Sequence, residues 1–270
     1  MSRKNHASDP TLKERLASGH EVEDDAVDRL LPPWVSALSE VHWTPVAVAA
    51  AAAAFLTDER RQSARVLDVG AGAGKFCVVG AASTGARFEG VERNPTLVGV
   101  ATLLARDIGV DRVHFHCAAM EQLDWQSYHG LYFFNPFGEY FIEDGSKILE
   151  GQPRGWRAYA HQVRTAIAKL YLMPTGTRVA TYHGLGASLP PGFDLVATER
   201  FGTGILRCYI RRDPLSIASP HPPEDFFERP GIFEEPTAVL RPAWNNDGEA
   251  GTDAGHGPPL ACDEGELEHE

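Results

Sequence analysis

The stretch VLDVGAGAGKF, residues 66 to 76, decides how the rest of the chain is read. Apolar residues and one acid run straight into Gly70, Gly72 and Gly74. That pattern reads as a buried parallel strand ending in a tight glycine turn that opens a helix. Glycine lacks Cβ and tolerates positive φ, so such a turn lets a ligand approach the backbone closely. The helix that follows points its first N–H groups at the same place. The stretch is therefore expected to form a site for a nucleotide-type cofactor.

Working outward, strands alternate with helices, which predicts a parallel sheet with right-handed crossovers. ARFEGVERNP gives a second strand ending at Glu92, then an Asn94 cap and Pro95 opening a helix that stops at Gly109. VHFHCAAM is a third strand, with His114 and His116 on one face. Two histidines without a third ligand nearby read better as strand residues than as a metal pair. A fourth strand, Leu131 to Phe134, ends in Asn135–Pro136–Phe137. GWRAYAHQVRTAIAKLYL is an amphipathic helix with Tyr159, Val163, Ile167 and Leu170 on one face. TGTRVATY is a fifth strand, and FDLVATERFGTGILRCYIRR reads as a hairpin turning near Phe201 to Gly204.

Ahead of this core, residues 1 to 40 read as a peripheral helical segment interrupted by Pro32–Pro33. VAVAAAAAAFL, Val46 to Leu56, is too short to span a bilayer and reads as a buried helix. Thr44 is its expected N-cap, with Pro45 at the first helical position. His42 and Trp43 stand at that helix entry, either as packing residues or as pocket lining.

The formal charge of -12 is concentrated in the tail, where residues 213–270 hold roughly fourteen acids against two arginines. A near-neutral body with an acidic tail argues against non-specific nucleic-acid binding. The tail, rich in Pro and Gly, is expected to be largely disordered and could serve an unknown partner. Within it, EDFFERPGIFEEP and VLRPAW carry apolar residues able to dock. The four cysteines form no CxxC pair, so free thiols in a reducing cytoplasm are expected. The N-terminus shows no apolar secretory region.

Three features fall at successive carboxyl ends of the sheet: the glycine turn, Glu92 and Asn135–Pro136–Phe137. Ligands of open α/β sheets bind there. An acid about twenty residues beyond the glycines can accept hydrogen bonds from both ribose hydroxyls of an adenosine cofactor. Lys75 stands where the dinucleotide fingerprint has its last glycine, which disfavours an NAD-dependent oxidoreductase.

On these residues, residues 40 to 212 resemble the class I S-adenosylmethionine-dependent methyltransferases. The resemblance implies a doubly wound α/β fold: a mostly parallel seven-stranded sheet with a C-terminal antiparallel hairpin. The expected units are an N-terminal helical segment (1–40), a Rossmann-like domain (41–212) and the tail (213–270). S-adenosyl-L-methionine is the implied cofactor, with Thr44, Asp68, Gly70, Ala71, Gly72, Gly74, Glu92, Ala119, Met120 and Asn135 as its contacts. Asp68 and the glycine backbone would hold the methionine part and Glu92 the ribose. The family's adenine-binding Asp is replaced near Ala118 or Ala119, so backbone groups around Ala119 and Met120 would serve instead.

Asn135–Pro136–Phe137 resembles the Asn/Asp-Pro-Pro-aromatic motif of amino-group methyltransferases, short of one proline. That implies a catalytic role for Asn135, Pro136 and Phe137 and a lean towards a nitrogen acceptor, either a small molecule or one borne on a protein. Alternatively Asn135 and Phe137 only shape the pocket floor. Glu139 and His183 are candidate general bases at the same end of the sheet. GVE at 90 to 92 also resembles non-SET protein-lysine methyltransferases. The alternative reading is a catalytically inactive S-adenosylmethionine-binding regulatory or scaffold protein.

Overall fold

A computed structural model describes residues 9–141 and 155–212. The tail segments named above lie outside the described residues, as does the side chain of Glu139.

Among the described residues seven strands form one sheet: β1 (Arg65–Val69), β2 (Arg87–Glu92), β3 (Val113–Cys117), β4 (Gly130–Phe134), β5 (Arg178–Tyr182), β6 (Phe193–Phe201) and β7 (Gly204–Arg211). Their order is β3-β2-β1-β4-β5-β7-β6. The first five are mutually parallel, and β7 runs antiparallel to both β5 and β6. The central strands are buried on both faces, which explains why their sequences are near-continuous apolar runs rather than alternating ones. The doubly wound sheet and terminal hairpin agree with the sequence expectation.

Among the described residues eight α-helices accompany the sheet: α1 (Leu12–Ala17), α2 (Asp24–Asp28), α3 (Pro33–Ser36), α4 (Ser39–His42), α5 (Val46–Thr57), α6 (Lys75–Thr84), α7 (Pro95–Ile108) and α8 (Trp156–Tyr171). Two apolar clusters result. One packs the N-terminal helices, α5, α6 and α7 on one side, and the other packs α8 with β4 and β5 on the opposite side. Phe76 of α6 stacks on Tyr132 of β4, ring centroids 3.8 Å apart. It also meets Phe88 of β2 edge-on at 5.6 Å. Each such aromatic contact adds about 1 kcal/mol beyond area burial.

The N-terminal helices are not peripheral. Leu16, Val22, Val27, Leu31 and Val35 are all buried in the main core cluster. Helices of four to six residues are marginal alone, so this packing holds them. The cap of α5 also differs from expectation. Pro45 occupies the N-cap, and the Val46 N–H donates to Asp24 Oδ1 at 2.9 Å. Thr44 instead places its hydroxyl 3.1 Å from the Tyr132 hydroxyl, buried. A long-range carboxylate has replaced the local cap.

Cys77 and Cys208 are free and buried. His116 Nε2 lies 2.9 Å from Glu89 Oε2. Glu89 also receives Arg65 and the Tyr128 hydroxyl, so the histidine belongs to a buried carboxylate cluster. Among the described residues no helix is long and apolar enough to cross a membrane.

Candidate functional site

A cleft opens at the carboxyl ends of β1, β2, β4 and β5. Strand β1 pairs with β2 on one side and β4 on the other, so the cleft sits where the winding of the sheet reverses. Its walls include Gly70 and Gly72 from the glycine turn, Glu92 from the end of β2, and Ala118 and Met120 beyond β3. Asn135, Pro136 and Phe137 come from the end of β4 and His183 from the end of β5. His42 and Trp43 close the cleft from the chain preceding α5.

The glycine turn is built for close approach. Gly72 has φ 52°, and a Cβ there would stand 2.2 Å from the Trp43 ring. The turn's amides are largely engaged within the protein. The N–H groups of Gly70 and Ala71 both donate to the Val91 carbonyl at 3.0 Å, and that of Gly74 donates to Ala71 at 2.8 Å. The Gly72 N–H donates to Glu92 Oε2 at 3.1 Å. Lys75 turns its ammonium onto Asp24, Asp28 and Ser39. A pyrophosphate needs unsatisfied N–H groups or a cation at such a turn. This turn suits a ligand that carries no phosphate.

Glu92 is half-buried, and its second oxygen, Oε1, accepts from the Asn94 N–H at 2.8 Å. Burial raises its pKa above the usual carboxylate range, while the backbone donors act in the opposite direction. The Arg93 backbone N–H acts on the same carboxylate, and beyond these three donors it keeps acceptor capacity for a ribose hydroxyl.

Asp68 lies behind the wall rather than on it. It is 4% exposed, and Cys77 Sγ sits 3.7 Å from its Oδ2. Burial pushes its pKa up to about 8, so near neutrality it is held largely protonated. Thr44, Ala71, Gly74 and Ala119 are likewise absent from the cleft wall. Thr44 meets Tyr132, and a Cβ on Gly74 would strike Ala101 and Phe115 at 2.6 Å, which makes Gly74 a packing glycine. The Ala118 N–H donates to the Glu92 carbonyl and the Ala119 N–H to Gln122 Oε1 at 2.8 Å. Both amides are thereby satisfied within the protein, and Leu97, Ala118 and Met120 give the cleft wall apolar surface.

Asn135 and His183 both have positive φ, 38° and 58°. The Asn135 N–H donates to the Gly184 carbonyl at 3.1 Å, which ties the two strand ends together. Burial lowers the pKa of His183, whose ring lies 4.3 Å from that of Tyr182 and 5.6 Å from that of Phe134. Burial lowers the pKa of His42 too. Both imidazoles are thereby held neutral near pH 7, with one ring nitrogen able to take a proton.

Arg93, Leu97, Tyr140 and Gln162 also line the cleft and were not marked by sequence pattern. Arg93 Nη1 donates to the Tyr140 hydroxyl at 3.3 Å, linking the β2 end to the loop after β4. The position of Arg93 beside Glu92 was the one available signal; nothing local marks Gln162.

Residues 60–150 match the family model of a methyltransferase domain. No curated protein matches the chain. Among solved structures, the chain is similar to an RNA methyltransferase from Salinibacter ruber in complex with S-adenosyl-L-homocysteine. That pair is 18% identical over 72% of this chain and 95% of the other, with a TM-score of 0.42. It is also similar to TrmN from Thermus thermophilus, 20% identical over 69% of this chain and 53% of the other, with a TM-score of 0.49.

Proposed function

We propose that this chain is a class I S-adenosylmethionine-dependent methyltransferase, a reading supported by the methyltransferase-domain match over residues 60–150 and by the strand order, and that it methylates a nitrogen acceptor. The residues of the cleft fit the cofactor. Glu92 offers acceptors for a ribose diol, Leu97, Ala118 and Met120 offer an apolar bed for adenine, and the amide-satisfied turn suits a phosphate-free chain. When bound, S-adenosylmethionine supplies an electrophilic methyl group on a sulfonium.

The observation that carries the nitrogen reading is Asn135. It stands at the carboxyl end of β4 between Gly70 and His183, in a backbone conformation fixed by Gly184. Its Oδ1 can accept an N–H from an incoming amine, which aims the nitrogen lone pair. Holding a near-attack geometry supplies a large part of such a barrier. Phe137 and Phe134 give the acceptor a flat apolar wall, and Pro136 stiffens the chain that carries Asn135. A neutral amine needs no strong base to attack. The proton it later releases can pass to neutral His183 or His42 on the way to solvent.

We assign the catalytic unit to residues 41–212, covered by the helices of residues 12–42; the acceptor is a small molecule or a protein-borne amine. The acidic tail is assigned to an unidentified partner and the protein to the cytoplasm. The test is tritiated S-adenosylmethionine offered to a fractionated cell extract, followed by identification of the labelled atom. Label on nitrogen in wild type, greatly reduced in Asn135→Gly with cofactor binding retained, is the expected result. Label on oxygen or carbon alone would sink the nitrogen assignment. Cofactor binding without any transfer would favour the inactive regulatory reading.

A further inference from the structure

Lys75 is a buried ammonium that methyl transfer does not call for. Its side chain is 2% exposed, and Nζ donates to Asp24 Oδ1 at 2.6 Å and Asp28 Oδ1 at 2.8 Å. Ser39 Oγ lies 3.3 Å away. Asp24 Oδ1 accepts in addition from the Val46 N–H that opens α5. All three partners of Lys75 belong to the short N-terminal helices, while Lys75 itself directly follows Gly74 of the turn.

The same helices carry a wall of the cleft. Ser39 and His42 are the two ends of α4, and Trp43 follows it. Trp43 Nε1 donates to the Val35 carbonyl at 2.9 Å, which fixes the indole against Gly72. A chain of contacts thus leaves the glycine turn at Lys75, passes through Asp24, Asp28 and Ser39, and returns to the turn at Gly72 through Trp43.

We propose that Lys75 is a positioning residue of the cofactor site. Its ammonium fixes residues 24–43 so that His42 and Trp43 complete the pocket, and cofactor binding is coupled to the docking of this segment. This rests on the methyltransferase reading of the cleft. The Lys75 ammonium is 2% exposed, so removing its carboxylate partners would leave an uncompensated buried charge, which constrains where Asp24 and Asp28 sit. Helices of four to six residues are stable only through their contacts, so they are the part of the body most easily opened. By linkage, a ligand that touches Trp43 and a latch that holds Trp43 must strengthen each other by the same factor.

The test uses the full-length protein and two readouts. The first is calorimetry with S-adenosylhomocysteine and S-adenosylmethionine. The second is hydrogen exchange of residues 24–43 against β1 and β4. In wild type, S-adenosylhomocysteine should slow exchange in residues 24–43 by about fivefold or more. Lys75→Met leaves two carboxylates together and can fail to fold, so Lys75→Met/Asp28→Asn is the second variant. The double variant should melt cooperatively and bind S-adenosylhomocysteine about tenfold more weakly, or about 1.4 kcal/mol. Exchange in residues 24–43 should rise while β1 and β4 are unchanged. A purely structural cluster would lower the melting temperature and leave affinity in the folded protein untouched. Wild type in which the ligand gives residues 24–43 no protection overturns the proposal whether or not either variant folds, as does a folded double variant that binds like wild type. Wild type that binds neither ligand overturns the methyltransferase reading and the coupling with it, a different and recognisable failure.

Discussion

Asn135 and His183 leave adjacent parallel strands in the same left-handed conformation, φ 38° and 58°, and the Asn135 N–H donates to the Gly184 carbonyl at 3.1 Å. Two non-glycine residues with positive φ in one cleft mark a backbone held by its surroundings. Left-handed conformations disfavour most L-residues by about 1–2 kcal/mol, and asparagine less than most. Asn135→Ala should therefore lose about 1 kcal/mol of stability in urea titrations, while Asn135→Gly should lose little or gain. Both should lose transfer activity alike. A stability difference with equal activity loss separates the backbone role of Asn135 from its side-chain role.

Gly72 and Trp43 make a second pair that can be tested by substitution. A Cβ at Gly72 would stand 2.2 Å from the Trp43 ring, and the φ of 52° adds strain. Gly72→Ala should destabilise the protein and weaken S-adenosylhomocysteine binding by about tenfold or more. Gly72→Ala/Trp43→Ala should recover part of the stability loss, with a coupling of about 1–3 kcal/mol in a double-mutant cycle. Strict additivity would show that the ring moves aside freely and that Trp43 is not a fixed wall.

The sheet was legible because its strands are continuous apolar runs bounded by Gly, Asn and Pro, and because Gly85 and Gly109 stop their helices where the pattern ends. The end of the hairpin at Phe201 and Gly204 was equally plain. What was not legible depends on long-range contacts. Asp24 caps α5 from 22 residues away, and Lys75 reaches three N-terminal residues. No local pattern encodes either. In the site, Gly70, Gly72, Glu92 and the Asn135 loop could be marked because a motif needs them at fixed spacing. Gln162 and Tyr140 join the cleft only through tertiary contacts, and Ala119 looked available only while the capping role of Gln122 was unseen.

Glu89 gives a pH prediction for stability. It is buried, and hydrogen bonds from His116, Arg65 and Tyr128 outweigh desolvation and hold its pKa down at about 2. A lowered carboxylate pKa means the unfolded chain binds more protons between about pH 4.5 and 2. The stabilisation is thus complete above about pH 4.5 and is lost as pH falls towards 2. Glu89→Gln should destabilise the protein by about 1–3 kcal/mol at pH 7, since Arg65 keeps access to water. The difference between variant and wild type should shrink at pH 3. Parallel urea curves at the two pH values would contradict this.

Asp68 predicts the opposite sign. Its pKa is pushed up to about 8, chiefly by burial, with Cys77 as the partner at 3.7 Å. Between about pH 4 and 8 the folded protein holds a proton that the unfolded chain has released, so this group makes stability fall as pH rises through that window. Asp68→Asn keeps the shape and removes the titration. It should melt at or above wild type at pH 8 and show a flatter stability profile between pH 5 and 8. Cofactor affinity decides the second part of the prediction. Asp68 lies behind the cleft wall, so Asp68→Asn should change S-adenosylhomocysteine binding by less than about tenfold, or 1.4 kcal/mol. Glu92→Gln should do more, because Glu92 stands on the wall and a hydrogen bond to a charged group contributes about 1.5–3 kcal/mol. Calorimetry of the two variants side by side ranks the acids. If Asp68→Asn is the more damaging, the carboxylate must turn into the cleft when the ligand binds, and its proton would be released on binding, visible as a dependence of the measured heat on buffer ionisation enthalpy.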